Sequence, residues 1–198
     1  MDSKYFKWGT FSKLTYTDSF DSYANAADLD GSGDWLVSDG AFVTYKPAAD
    51  GFVKCNAFAD YANLAYYNKA TITSDQYAQI VTNTLATGSF IGAAVRVTAG
   101  GNGYYYIVDD TGRKLMKDVA GTPTEIATST DDCADGIIIK ITAIGTTLRC
   151  YYDGSLDTSL TGGTGIFAGQ ADHSTGYVGI GGYNNYHSYG NDFEGGDL

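Results

Sequence analysis

Residues 135–161 run Asp135-Gly136-Ile137-Ile138-Ile139-Lys140-Ile141-Thr142-Ala143-Ile144-Gly145-Thr146-Thr147-Leu148-Arg149-Cys150-Tyr151-Tyr152-Asp153-Gly154-Ser155-Leu156-Asp157-Thr158-Ser159-Leu160-Thr161. Counted by twos, Leu148, Cys150 and Tyr152 fall on one face of the middle segment and Thr147, Arg149 and Tyr151 on the other. Ile137, Ile139 and Ile141 stand against Lys140 and Thr142 in the first segment. In the third, Leu156 and Leu160 stand against Asp157, Ser159 and Thr161. A repeat of two is the signature of half-buried antiparallel strands and cannot serve a helix. Ile144-Gly145 and Asp153-Gly154 mark the two turns, since glycine and aspartate tolerate the positive φ that tight hairpins need.

The same pattern extends along the chain. Strand candidates recur about every ten residues, near 41–46, 51–58, 64–72, 76–84, 89–98, 103–109, 113–119, 124–128, 137–143, 146–152, 155–160, 177–183 and 191–196. Short strands at that spacing predict an all-β sandwich or barrel. Segment 57–67 stays open between strand and helical turn, because Phe58, Tyr61, Ala62 and Ala65 also fall at helical spacing. Residues 1–17 form an N-terminal arm or first strand, and residues 18–198 a single domain.

Composition narrows the partners. A formal net charge of −11 argues against nucleic acid, which would be repelled rather than shed counterions. No segment is long and apolar enough to span a bilayer as a helix, and the N-terminus shows no secretory signal. Cys55, Cys133 and Cys150 are odd in number and widely spaced, which suits neither a disulfide framework nor a zinc site. Cys150 sits on the apolar beat and is expected in the core. These features predict maturation in a reducing cytoplasm, unless the chain is cut from a longer precursor.

Several fragments resemble one family in order: Asp18-Ser19-Phe20 followed by Trp35 and Asp39-Gly40, Ser74 to Ile80, Gly92 to Val97, Asn102 to Tyr106, the hairpins above, and Asp192-Phe193-Glu194-Gly195-Gly196. Together they are similar to the concanavalin A-like lectin/glucanase domains of the laminin-G-like type. The resemblance implies an antiparallel two-sheet jelly-roll sandwich whose opening strand near Asp18 lies beside the closing strand. Members include carbohydrate-binding modules, glycan hydrolases and domains of phage tail, adhesin and capsid-surface proteins. In character the chain is most similar to the phage members. That implies a virion surface protein, capsid decoration or tail-associated, made in a host cytoplasm and docked on other virion subunits or homo-oligomeric. The alternatives are an independent extracellular carbohydrate-binding protein and, third, a glycoside hydrolase.

Catalysis is not expected. The family's hydrolases carry paired acids on one strand face, whereas the chain's glutamates are Glu125 and Glu194, far apart. His173 and His187 have no nucleophile motif beside them.

Three stretches carry the binding expectations. Asp28, Asp30, Ser32 and Asp34, with Gly33 among them and Asp39 closing, follow the oxygen spacing of a calcium loop. A solvated acidic turn leading to a core Trp35 is the competing reading. The tail loop Tyr183-Asn184-Asn185-Tyr186-His187 offers aromatic faces and amides suited to sugar, or a turn packed on the protein or a neighbouring subunit. Tyr5, Phe6, Trp8 and Phe11 form an aromatic arm suited to an interface. Tyr104 and Tyr106 share one strand face and Tyr105 the other, so one set is expected in the core and one at the surface. Arg96 is expected opposite Val95 and Val97 on a sheet surface, in a cross-strand ion pair or facing an acidic sugar.

Overall fold

A computed structural model describes residues 13–46, 50–55, 62–69, 74–183 and 187–198. The strands are β1 (Thr15–Asp18), β2 (Trp35–Asp39), β3 (Phe42–Tyr45), β4 (Phe52–Cys55), β5 (Ala62–Tyr67), β6 (Gln76–Asn83), β7 (Phe90–Thr98), β8 (Asn102–Val108), β9 (Arg113–Val119), β10 (Thr122–Ser129), β11 (Ile138–Ile144), β12 (Thr147–Tyr152), β13 (Ser155–Leu156), β14 (Ile166–Phe167), β15 (Tyr177–Tyr183) and β16 (Tyr189–Asp197). They form two antiparallel sheets. One has nine strands, in the order β13-β12-β11-β6-β16-β4-β3, with β1 paired to β16 and β14 to β12. The other has seven, in the order β10-β9-β8-β7-β15-β5-β2. The first and last strands meet as the resemblance implies, Asp18 opposite Phe193.

The hairpin of β11 and β12 keeps the predicted register, from Ile139 opposite Tyr152 to Ile144 opposite Thr147. Ile139, Ile141, Leu148 and Cys150 are buried between the sheets. Asp153 at φ 48° and Gly154 at φ 79° make the second turn. The third segment departs from expectation, because β13 ends at Leu156 and Asp157 is 3% exposed rather than facing solvent. Its carboxylate accepts from Tyr106 Oη at 2.6 Å, Arg113 Nη1 at 3.0 Å and Ser159 Oγ at 2.5 Å. A buried carboxylate persists only with such partners. Burial, and then the Asp157 charge, push the Tyr106 hydroxyl far above its ordinary range.

Segment 62–67 is a strand, β5, paired on both sides by β15 and β2; residues 57–61 lie outside the described region. Strand β2 emerges from a stretch that reads as loop. Its Trp35 packs against Phe193, Tyr67 and Phe20 at ring separations of 4.9, 5.4 and 5.8 Å, and its Nε1 donates to Asp18 Oδ2 at 2.7 Å.

The tyrosine run of β8 is buried on both faces. Tyr104 and Tyr106 join the core between the sheets, and Tyr105 joins a second apolar cluster on the outer face of the seven-stranded sheet with Leu64, Tyr66, Ile107 and Met116. The expected surface set does not exist, because Tyr105 lies across Gly181, where a Cβ would come within 2.7 Å of its own.

Arg96 is the largest correction. A bulge between Val95 and Thr98, with Arg96 at φ 56°, sends Val95 into the inner cluster and Val97 into the outer one. Arg96 turns into the end of the sandwich and is 1% exposed. It donates to Ser74 O at 2.7 Å, Gly145 O at 2.6 Å and His173 O at 2.9 Å. Burial lowers its pKa, partly offset by Tyr104 and Asp75. His173, which has no nucleophile motif beside it, also donates from Nε2 to Asp118 O at 2.6 Å.

Two substitutions test this account. Arg96→Met leaves three carbonyls without their donor and is expected to cost about 3 kcal/mol or more in urea denaturation. Asp157→Ala strands the Arg113 charge and is expected to cost about 3–5 kcal/mol by the same measurement. A loss under 1 kcal/mol from either would show that solvent replaces the missing partner.

Candidate functional site: the outer face of the nine-stranded sheet

On each strand of the nine-stranded sheet, residues that alternate with the core residues point away from it. Register brings them into rows. Thr17, Glu194, Gln79, Lys140, Tyr151 and Leu156 stand opposite one another across β1, β16, β6, β11, β12 and β13. In the next row Tyr77, Thr142 and Arg149 are neighbours on β6, β11 and β12. A cleft of about 390 Å³ lies over these rows, lined by Gln79, Lys140, Thr142, Arg149, Tyr151 and Gly154 and rimmed by Ile138, Ile144 and Leu198. The three rim residues are 38–40% exposed. This volume falls in the roughly 300–1,000 Å³ range of small-ligand sites.

The polar groups of the cleft are ordered but not consumed. Lys140 Nζ sits 4.4 Å from the centre of the Tyr77 ring, a cation–π contact, and Tyr77 Oη donates to Glu194 Oε1 at 2.7 Å. Burial chiefly holds the Tyr77 hydroxyl above its ordinary value, with Thr15 working against it and Glu194 with it. Among the described residues, Gln79 and Arg149 make no side-chain hydrogen bond or ion pair. The Thr142 hydroxyl is buried without a partner.

A second concavity, about 490 Å³, opens beside β1 and is lined by Asp18, Asp34, Asp192, Glu194, Tyr23 and Tyr67 among others. Though larger, it is mostly committed to the fold. Asp18 accepts from Phe20 N, Tyr23 Oη and Trp35 Nε1, Asp34 pairs with Lys69, and Glu194 holds Tyr77.

The sequence-derived candidates fall elsewhere. Asp28 caps a 3-10 turn at Leu29–Gly31 and accepts from Asp30 N at 3.1 Å. Asp30 Oδ1 accepts from Val37 N at 2.8 Å, and Ser32 Oγ from Trp35 N at 3.2 Å. The backbone of Asp39 ends β2. The oxygens of Asp28, Asp30 and Ser32 therefore close the loop on itself while Asp34 pairs with Lys69, and among the described residues no three His, Cys, Asp or Glu side chains gather to hold a metal. Tyr183 ends β15 on the outer face of the other sheet, 6.4 Å from Phe90, with Lys114 over its ring at 6.0 Å. His187 N donates to Ser89 Oγ at 3.1 Å. Asn184, Asn185 and Tyr186 lie outside the described residues, as do Tyr5, Phe6, Trp8 and Phe11. The alternation of β11 and β12 already placed Lys140, Thr142, Arg149 and Tyr151 on outward faces. What it could not supply was Gln79 beside them.

The glutamates do not converge. Glu125 is on β10, 3.3 Å from Lys114, and Glu194 is in the opposite sheet.

No family model matches the sequence and no curated relative is found. Solved structures share the fold. The carbohydrate binding module CBM66 from Bacillus subtilis is 16% identical with a TM-score of 0.59, over 80% of this chain and 91% of that one. A Bacillus subtilis protein of unknown function with a galectin-like fold is 9% identical with a TM-score of 0.62, over 94% and 96%. The exoplasmic/lumenal domain of VIP36, solved in a Ca²⁺-bound form, is 9% identical with a TM-score of 0.56, over 93% and 90%. The chain therefore has the concanavalin-like, galectin-like β-sandwich fold.

Because the acidic loop is closed by its own hydrogen bonds, the melting temperature is expected to be the same in millimolar calcium and in EDTA. A rise of several degrees in calcium would show that the loop opens to take the ion.

Proposed function

We propose that this chain is a non-catalytic glycan-binding domain that holds sugar on the outer face of its nine-stranded sheet. The carrying observation is the cleft over β6, β11 and β12, where Gln79 and Arg149 are unengaged among the described residues beside Lys140, Tyr151 and an aliphatic rim. Sugars ask for this combination: directed donors for hydroxyls, and flat or aliphatic surface for the C–H faces of the ring. The carbohydrate binding module and the VIP36 domain, which has also been solved in a Ca²⁺/Man3GlcNAc-bound form, share the fold and support the reading. The placement of the two glutamates in different sheets supports binding without hydrolysis.

A glycan array probed with the purified chain is expected to give hits that survive incubation uncleaved. Tyr151→Ala and Gln79→Ala should each weaken them about tenfold while leaving the fold intact. If Tyr183→Ala abolishes binding and those two do not, the sugar sits on the tail face of the other sheet instead.

As its setting we propose a virion surface, capsid decoration or tail-associated, with an independent extracellular protein as the alternative. The acidic chain and its resemblance in character to phage members support this. Deleting residues 1–12, which carry Tyr5, Phe6, Trp8 and Phe11, is expected to abolish incorporation into particles while the melting temperature holds. Unchanged incorporation would remove the arm from the assembly.

A further inference from the structure

The cleft over β11 and β12 has a charge character opposite to the chain that carries it. Against a net charge of −11, its lining contains Lys140 and Arg149 and no carboxylate side chain. Lys140 faces Tyr151, and Arg149 faces Thr142 one step along the pair, so the two cations are diagonal neighbours, roughly 7–8 Å apart at their backbone origins. That separation lets two long side chains close on one small anion.

Most of the other described basic side chains are differently placed. Arg113 holds Asp157, Lys114 pairs with Glu125, Lys117 with Asp172 and Lys69 with Asp34, Lys46 donates to Asp21 O and Lys54 lies over the Tyr189 ring. Arg96 is spent on carbonyls. Arg149, by contrast, has no hydrogen bond or ion pair among the described residues.

A second observation points to a ligand. Thr142 is 5% exposed, its hydroxyl has no hydrogen-bond partner, and it lines the cleft directly opposite Arg149. A buried hydroxyl without a partner costs stability, and this one lies across the strand pair from Arg149, so an anion held there would give it the acceptor it lacks once the side chain turns to the cleft. Glu194 lies two strands away in the Lys140 row and repels an anion from that end, which confines it to β11 and β12.

Resting on the glycan-binding reading above, we infer that the site selects a carboxylate-bearing sugar. The carboxylate lies between Arg149, Lys140 and the Thr142 hydroxyl, and the ring's C–H face rests against Tyr151, which stands opposite Lys140. A planar guanidinium matches a carboxylate through two parallel hydrogen bonds. The protein's overall negative charge does not oppose this at contact range, because charges beyond about 8 Å are screened at physiological salt.

The test is calorimetric titration of the full chain with galacturonic-acid oligomers, the matching neutral galactose oligomers, and sulfate esters of the latter. Binding to the uronic oligomers is expected to be at least about tenfold tighter than to the neutral ones, and to fall by about tenfold or more in Arg149→Gln. Thr142→Val is expected to weaken uronic-acid binding while raising the melting temperature by about 2–4 °C, since it removes an unpartnered buried hydroxyl. A purely structural role for Thr142 would not move affinity and stability in opposite directions. Equal binding of uronic and neutral oligomers, unaffected by Arg149→Gln, would overturn this inference and leave the glycan-binding reading standing. Equal binding of the sulfate esters would overturn the carboxylate assignment. Binding of none of the three, in company with an empty glycan array, would overturn both.

Discussion

One buried guanidinium holds the end of this sandwich together. Arg96 leaves the ladder of β7 at a bulge, and from inside the fold it binds the carbonyls of Ser74, Gly145 and His173. Ser74 precedes β6, Gly145 turns β11 into β12, and His173 precedes β15, so a single side chain ties loops from both sheets. A charge taken out of water needs full hydrogen bonding to be tolerated, and these carbonyls supply it without a carboxylate. Gly176 packs against the Arg96 backbone so closely that a Cβ there would lie 2.4 Å from its carbonyl carbon.

The candidate site depends on that anchor. The β11–β12 hairpin is held at its first turn by Arg96 on Gly145 O and by Asp75 accepting from Gly145 N at 2.9 Å. Beyond its other end, Asp157 is locked between Tyr106 and Arg113. Held at both ends, the hairpin can present Lys140, Thr142, Arg149 and Tyr151 at a set spacing, and preorganised groups bind at less entropic cost. The inner residues of the same strands, Ile139, Ile141, Leu148 and Cys150, bury the opposite face. Core and site are thus alternate residues of one hairpin.

The acidic loop shows that ligand-like spacing does not by itself say what the side chains bind. Asp28, Asp30, Ser32 and Asp34 have the spacing of cation ligands, yet short polar side chains in loops readily bond their own backbone. Here Asp28, Asp30 and Ser32 do, while Asp34 pairs with Lys69, and the loop they close delivers Trp35 to the core, where Asp18 receives its indole N–H. The cleft side chains are opposite in this respect. Gln79 and Arg149 lie in paired strands whose amides and carbonyls are already satisfied by the ladder, which leaves the side chains available.

Local chemistry was legible from the chain alone. Alternation by twos placed most of the strands, Gly145 and the Asp153-Gly154 pair placed the hairpin turns, and Cys150 went to the core, because side-chain direction along a strand and tolerance of positive φ are properties of neighbouring residues. Alternation could not anticipate the bulge at Arg96, the burial of Asp157 or the second apolar layer around Tyr105. Each depends on what distant strands bring alongside. The site is of the same kind: Lys140, Thr142, Arg149 and Tyr151 were visible as outward residues of one hairpin, but Gln79 joins them from some sixty residues away through the pairing of β6 with β11. Register between remote strands is set by tertiary packing, so only the folded structure could turn an outward face into a cleft.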